Sequence, residues 1–238
     1  MIAVKKDEIE RIERMIQSLR NSDIAINSLL TALENISNLV IIGGALRSAL
    51  QENYKLRDVD LILDPLKEYD IDKILLKLNN TRYKKNRFGG YKVIFNTTTF
   101  DIWTIHDHWG FKEKFYKENI ENIEKTTLLN YDSLVYDYSN KILYSNNYEN
   151  CIRRKIIDMI GKEEYIKNNP SPYINIMRML KIKMETGYEL SNRSYEYIKH
   201  YYNVCGSNIT DILINEYKNH YKYLNRDFVN YVIDYFKY

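Results

Sequence analysis

The sequence predicts an α+β protein: a small mixed sheet with flanking helices, followed by an all-helical C-terminal domain. Two observations predict it. Up to about residue 145, short apolar runs rich in β-branched and aromatic residues alternate with helical stretches, and Gly, Pro, Asn and Asp bound them. From about Tyr148 the alternating runs stop, and apolar residues recur at three- and four-residue intervals. The division expected is N-terminal helices over 1–37, a sheet domain over 38–145 and a helical domain over 146–238.

Residues 6–20 space Ile9, Ile12, Ile16 and Leu19 as one face of an amphipathic helix. Asn21-Ser22-Asp23 can cap a second helix whose apolar face is Leu29, Leu30, Leu33 and Ile36. Residues 38–42 (NLVII) read as a buried strand that Gly43-Gly44 ends, and 45–53 as a short helix. Residues 58–63 (DVDLIL) begin with the polar–apolar alternation of a strand with one face toward a cleft, and Asp64-Pro65 stops it. A helix follows over 70–80. Residues 91–95 and 99–105 read as a hairpin, as do 132–137 and 141–145. Helices are expected over 151–168, 173–187, 191–204, 207–224 and 226–238, with Pro170, Pro172 and Gly187 as punctuation.

The 238 residues are 45% apolar and 28% charged, enough for a real core and unlike a disordered chain. The net charge is +3. All of it falls after residue 145, where 14 Lys and Arg face 11 Asp and Glu; such a bias permits a polyanion partner and does not demand one. Cys151 and Cys205 stand far apart with no CxxC pair, which suggests a reducing compartment and no structural zinc. No apolar run reaches membrane-spanning length, so a cytoplasmic protein without a membrane partner is expected. His106 and His108 flank Asp107 as an HxH, but no third transition-metal ligand is in view. G-x-S-x-G and Walker-type motifs are absent from the sequence.

The chemistry concentrates between Val40 and Asp64. A Gly-Gly turn opening a helix leaves backbone N–H groups able to approach an anion, which makes Gly43 and Gly44 candidates for phosphate contact. Arg47, one turn on, could add a charged contact. Asp58 and Asp60 alternate on a strand and so share a face. Two adjacent carboxylates repel unless a cation sits between them, and Mg²⁺ favours one or two carboxylates plus phosphate oxygens. Asp101, on a strand that could pair beside the first, is the third candidate ligand. Arg57 and Lys92 could reach phosphates, or could simply cover a strand end and the surface. The aspartates read as solvated strand positions if the glycine turn is ignored.

A Gly-Gly turn followed 14 residues later by D-x-D resembles the nucleotidyltransferase superfamily related to DNA polymerase β. GGALRSAL and RDVDLIL resemble the head domain of class II tRNA CCA-adding enzymes and bacterial poly(A) polymerases. Residues 132–157 resemble the family's strand–turn–strand segment leading to a helix, and 175–198 its neck stretch. The likeness thus covers about Asn38 to Ile198. It implies a nucleotidyltransferase-type sheet and neck-like helical domain, and Mg²⁺-dependent transfer of a nucleotide from an NTP, ATP first, to an acceptor hydroxyl such as an RNA or tRNA-like 3′ end. It further implies metal binding by Asp58, Asp60 and Asp101, and a base-seating role for Arg178. The chain departs from the family where Thr126-Thr127-Leu128-Leu129 stands for its RRDF motif and where Asn175 replaces a neck aspartate. Nucleotidylation of a small molecule or protein, and a non-catalytic nucleotide-binding module, are the alternatives. The oligomeric state is not legible.

Overall fold

A computed structural model describes residues 2–52, 56, 58–68, 70–78, 81–86 and 89–237, with the side chains of 2–4 left aside. The chain forms two compact units, each described by itself: Met1–Thr127 with Asp132–Asn146, and Leu128–Tyr131 with Asn147–Tyr238.

The first unit contains, in chain order, α1 (Ile2–Ser22), α2 (Ile24–Glu34), β1 (Ser37–Ile42), α3 (Gly44–Leu50), β2 (Asp58–Pro65), α4 (Ile71–Leu76), β3 (Arg82–Lys85), β4 (Tyr91–Ile94), β5 (Thr99–Thr104), α5 (Trp109–Lys112), α6 (Ile120–Ile123), β6 (Val135–Asp137) and β7 (Ile142–Tyr144). The strands make one sheet in the order β3-β4-β5-β2-β1-β6-β7. Only β2 and β5 run parallel. Both expected hairpins form. β3 is not among the expected strands: RYKK carries no apolar alternation, and an exposed, basic edge strand needs none.

The N-terminal helices pack under this sheet. Ile16, Leu19 and Leu30 line the same small interior space as Leu39, Ile41, Val59, Leu61 and Phe100. Asp23 caps α2 by accepting from the Ala25 N–H at 2.8 Å. Arg20 ties the two helices together, donating to Asn27 (2.9 Å), Thr31 (3.2 Å) and Glu34. Because side chains alternate along a strand, burying Leu39, Val59, Leu61 and Phe100 commits Asp58, Asp60 and Asp101 to the opposite face.

The second unit contains α7 (Asn146–Arg154), β8 (Ile156–Ile157), α8 (Glu163–Lys167), α9 (Pro172–Thr186), β9 (Glu189–Leu190), α10 (Asn192–Cys205), α11 (Asn208–Tyr221) and α12 (Arg226–Tyr235). Its core is Ile176, Met177, Met179 and Leu180 against Leu213, Tyr217, Phe228 and Val232, with Tyr217 stacked on Phe228 at 4.3 Å. Gly187 ends α9 in the left-handed conformation (φ 71°). The helix expected over 151–168 is instead divided. Lys155 takes φ 54° and ends α7, and β8 then pairs in parallel with β9. Two-residue strands have no period for a sequence to display.

Candidate active site

The sheet register assembles the candidate residues. Asp60 lies directly opposite Asp101 across the β2–β5 pair, and Asp101 lies opposite Lys92 across β5–β4. A row of alternating charge, Asp60–Asp101–Lys92, therefore crosses three strands on one face. Asp58 is two residues from Asp60 on that face. All three carboxylates are half-buried.

Gly43 sits at the edge of this row. Its φ of 71° and ψ of −128° suit glycine alone without strain. A Cβ there would stand 3.7 Å from Asp60 Oδ2, so the turn backs directly onto the carboxylate. The amide of Gly43 donates to the Leu134 carbonyl (3.0 Å). The amides of Gly44, Ala45 and Leu46 open α3, where no intrahelical acceptor exists for them.

Arg47 pairs across the unit. Its Nη1 donates to Asp132 Oδ1 at 2.8 Å, and Asp132 is buried. This contact joins α3 to the segment before β6. Arg57 lies outside the described residues. Lys92 Nζ donates to Asp101 Oδ2 at 2.7 Å, so it serves a carboxylate first.

The fit of a divalent cation divides along this row. Hard, half-buried oxygen donors on one strand, Asp58 and Asp60, suit Mg²⁺. Asp101 is held by Lys92, and among the described residues no group of three or more His, Cys, Asp or Glu side chains is gathered to hold a metal.

The HxH is not a metal site either. His106 pairs with Glu118 (2.8 Å), while His108 accepts at Nδ1 from Trp103 Nε1 (3.2 Å). Its Nε2 lies 2.5 Å from Thr126 Oγ1, which itself donates to the Ile123 carbonyl. Nε2 must therefore carry the hydrogen, and the ring is neutral. Burial pushes its pKa down to about 4. Gly89-Gly90 belongs to the β3–β4 bend, where the Asn86 amide donates to Gly90 O (2.7 Å).

In the helical unit, Arg178 is half-buried on α9. Asn175 is buried and donates to Asn169 Oδ1 (2.9 Å), while Lys181 pairs with Glu185 (2.5 Å) over the Tyr221 ring. Asn175 and Lys181 serve the fold of their own unit.

No protein-family model matches the sequence, and no curated protein matches it. Solved structures match the backbone. A tRNA nucleotidyltransferase complexed with a primer tRNA and an incoming ATP analog aligns with TM-score 0.60 at 15% identity, over 88% of this chain and 59% of that one. A CCA-adding enzyme with CTP gives TM-score 0.63 at 12% identity, over 94% and 54%. The apo form I of a tRNA-processing enzyme gives 0.61 at 16%, over 91% and 55%. The chain has a nucleotidyltransferase-like fold. It spans a little over half the length of these structures. Among the described residues no helix is long and apolar enough to cross a membrane.

Proposed function

We propose that this chain is a Mg²⁺-dependent nucleotidyltransferase that moves a nucleotide from an NTP, ATP first, to an acceptor hydroxyl, with an RNA 3′ end as the first acceptor to test. One observation carries the reading: Asp58, Asp60 and Asp101 lie on one face of two adjacent strands, with the Gly43 turn backed against Asp60. Mg²⁺ held by Asp58 and Asp60 would neutralise charge on the transferring phosphoryl group.

The chain's own groups supply the rest. The amides opening α3 donate to triphosphate oxygens, a contact that needs no side chain and that Gly44 leaves sterically open. Asp101 stands beside Asp60, with the Lys92 ammonium against its other side, and can take the proton of the attacking hydroxyl. The hydroxyl oxygen then bonds to the α-phosphorus as the bond to pyrophosphate breaks. Solved structures of similar fold carry an ATP analog with a primer tRNA, or CTP, in their complexes, which makes NTP and RNA the first ligands to test.

The test incubates the protein with each labelled NTP, Mg²⁺ and separate RNA, protein and small-molecule pools. Label enters an acceptor with wild-type protein, and Asp60→Asn lowers the rate by about two to four powers of ten, the several kcal/mol that a metal ligand supplies. Its melting temperature stays within about 2 °C, because asparagine keeps the size and shape of the half-buried aspartate side chain. Label in a protein or small-molecule pool moves the acceptor from RNA to that class. No label in any pool, or equal label with Asp60→Asn, ends the reading.

A further inference from the structure

The helical unit holds a concavity of about 650 Å³ that is lined wholly by its own residues. Its volume falls within the range of ligand sites, but its lining is not the usual apolar one. Most side chains around it are polar, and three arginines, Arg153, Arg154 and Arg193, face a single carboxylate, Asp158.

The floor is rigid. Asn130 clamps both sides of the β8 strand end, donating from Nδ2 to the Ile156 carbonyl (2.9 Å) and accepting at Oδ1 from the Asp158 N–H (3.0 Å). Its own backbone N–H donates to the Asp158 carbonyl (2.9 Å). Arg193 donates to the carbonyls of Met159 and Gly161, each at 2.8 Å, and pairs with Glu163 (2.5 Å). Its charge is therefore spent within the unit. The one carboxylate, Asp158, accepts the Ser191 hydroxyl.

What is left uncommitted is positive. Arg153 donates only to the neutral amide oxygen of Asn150 (2.6 Å), and Arg154 has no hydrogen-bond or ion-pair partner among the described residues. Both follow from the end of α7. The left-handed turn at Lys155 stops the helix and leaves the two guanidinium groups at the concavity. A helix C-terminus favours cations by only about 0.3–1 kcal/mol, which accounts for basic residues there but not for a polar concavity beside them.

We propose that this concavity binds a phosphate-bearing anion, gripped by Arg153 and Arg154. Guanidinium groups match phosphate oxygens in paired hydrogen bonds, and the amides and hydroxyl around them supply further partners. Every residue that lines the concavity belongs to the helical unit. The phosphate can come from a free phosphate compound or from a nucleic-acid backbone.

The experiment titrates the full chain with inorganic pyrophosphate by calorimetry, and with a fluorescent single-stranded 12-nucleotide RNA by anisotropy at several salt concentrations. The variants are Arg153→Gln/Arg154→Gln and, as a charge-matched control, Lys218→Ala/Lys237→Ala. The arginine pair weakens binding of at least one probe about tenfold or more, while the lysine pair changes it less than twofold. For RNA, the slope of log affinity against log salt falls by about 1.4, about 0.7 for each lost phosphate contact. Loss of both probes identifies the phosphate group itself as the ligand, and loss of RNA alone identifies a backbone. If neither probe binds, or if the arginine pair matters no more than the lysine pair, the proposal is overturned. Both arginines are exposed, so the variant keeps its fold and the comparison can be read.

Discussion

The two units treat polar side chains in opposite ways. Away from the end of α7, where Arg153 and Arg154 face the concavity, the polar groups of the helical unit close on one another: Asn130 on the β8 end, Arg193 on two carbonyls, Asn175 on Asn169. In the sheet unit the row Asp60–Asp101–Lys92 runs along one face, and Asp101 pairs with Lys92 at its far end. A sheet can hold such a row because its backbone already satisfies itself through the ladder, so the outward side chains are not needed for the fold. Helices meeting at irregular angles have no such ladder between them, and their linkers need side chains as clamps. Carboxylates left over by a fold are thus better candidates for chemistry than those a fold consumes.

Arg47 tests that distinction most severely, because it lies in the sheet unit beside the glycine turn yet is consumed. Arg47→Met removes the cation paired with the buried Asp132 carboxylate. It should cost about 3 kcal/mol, read as a shift in the urea midpoint. Arg47→Met with Asp132→Leu should recover most of that loss, because the uncompensated charge is gone. A single variant as stable as wild type but weaker in NTP binding would make Arg47 a phosphate ligand and break the comparison.

His108 extends the test to pH. Its folded pKa lies near 4, below the ordinary value near 6.5, so the folded state holds the neutral ring and the unfolded state takes up the proton first. The stability it contributes is complete above about pH 6.5 and is lost as pH falls toward 4. The loss is on the order of 3 kcal/mol, since each pH step between the two values is worth about 1.4 kcal/mol. His108→Gln should flatten this part of the stability–pH curve measured by denaturant unfolding. An unchanged curve would mean that the Trp103–His108–Thr126 chain does not hold the ring neutral.

The D-x-D face and the glycine turn are legible in the sequence because both rest on local rules: a period of two and a backbone that only glycine adopts easily. The likeness in fold is legible for the same reason, since ordered short motifs carry it. What the sequence hides depends on partners distant in the chain. Arg47 reads as a phosphate ligand until Asp132, 85 residues away, is placed beside it. His106-Asp107-His108 reads as half a metal site, but Trp103 and Thr126 decide what His108 does. Lys92 and Asp101 are nine residues apart, and only the β4–β5 register makes them neighbours. The β8–β9 pair is invisible because two residues cannot show a pattern.

Lys92 supplies the smallest effect on stability and the sharpest test of the row. Its ion pair with Asp101 is partly solvated, with side-chain exposures of 37% and 26%, so Lys92→Met should change stability by no more than about 1 kcal/mol. The same change removes the ammonium held against Asp101 and leaves Asp60 and Asp101 side by side across β2–β5. Divalent-ion binding should then tighten by about tenfold, the ~1.4 kcal/mol expected for removing a competing charge at an effective dielectric near 20. Mn²⁺ binding followed by electron paramagnetic resonance reads this without any turnover. Should Mn²⁺ bind Lys92→Met no better than wild type while Asp60→Asn abolishes binding, Asp101 would stand outside the ion's reach, and the metal would belong to Asp58 and Asp60 alone. Should both variants bind as wild type does, the row would have no part in cation binding, and the difference drawn between the two units would lose its chemical meaning.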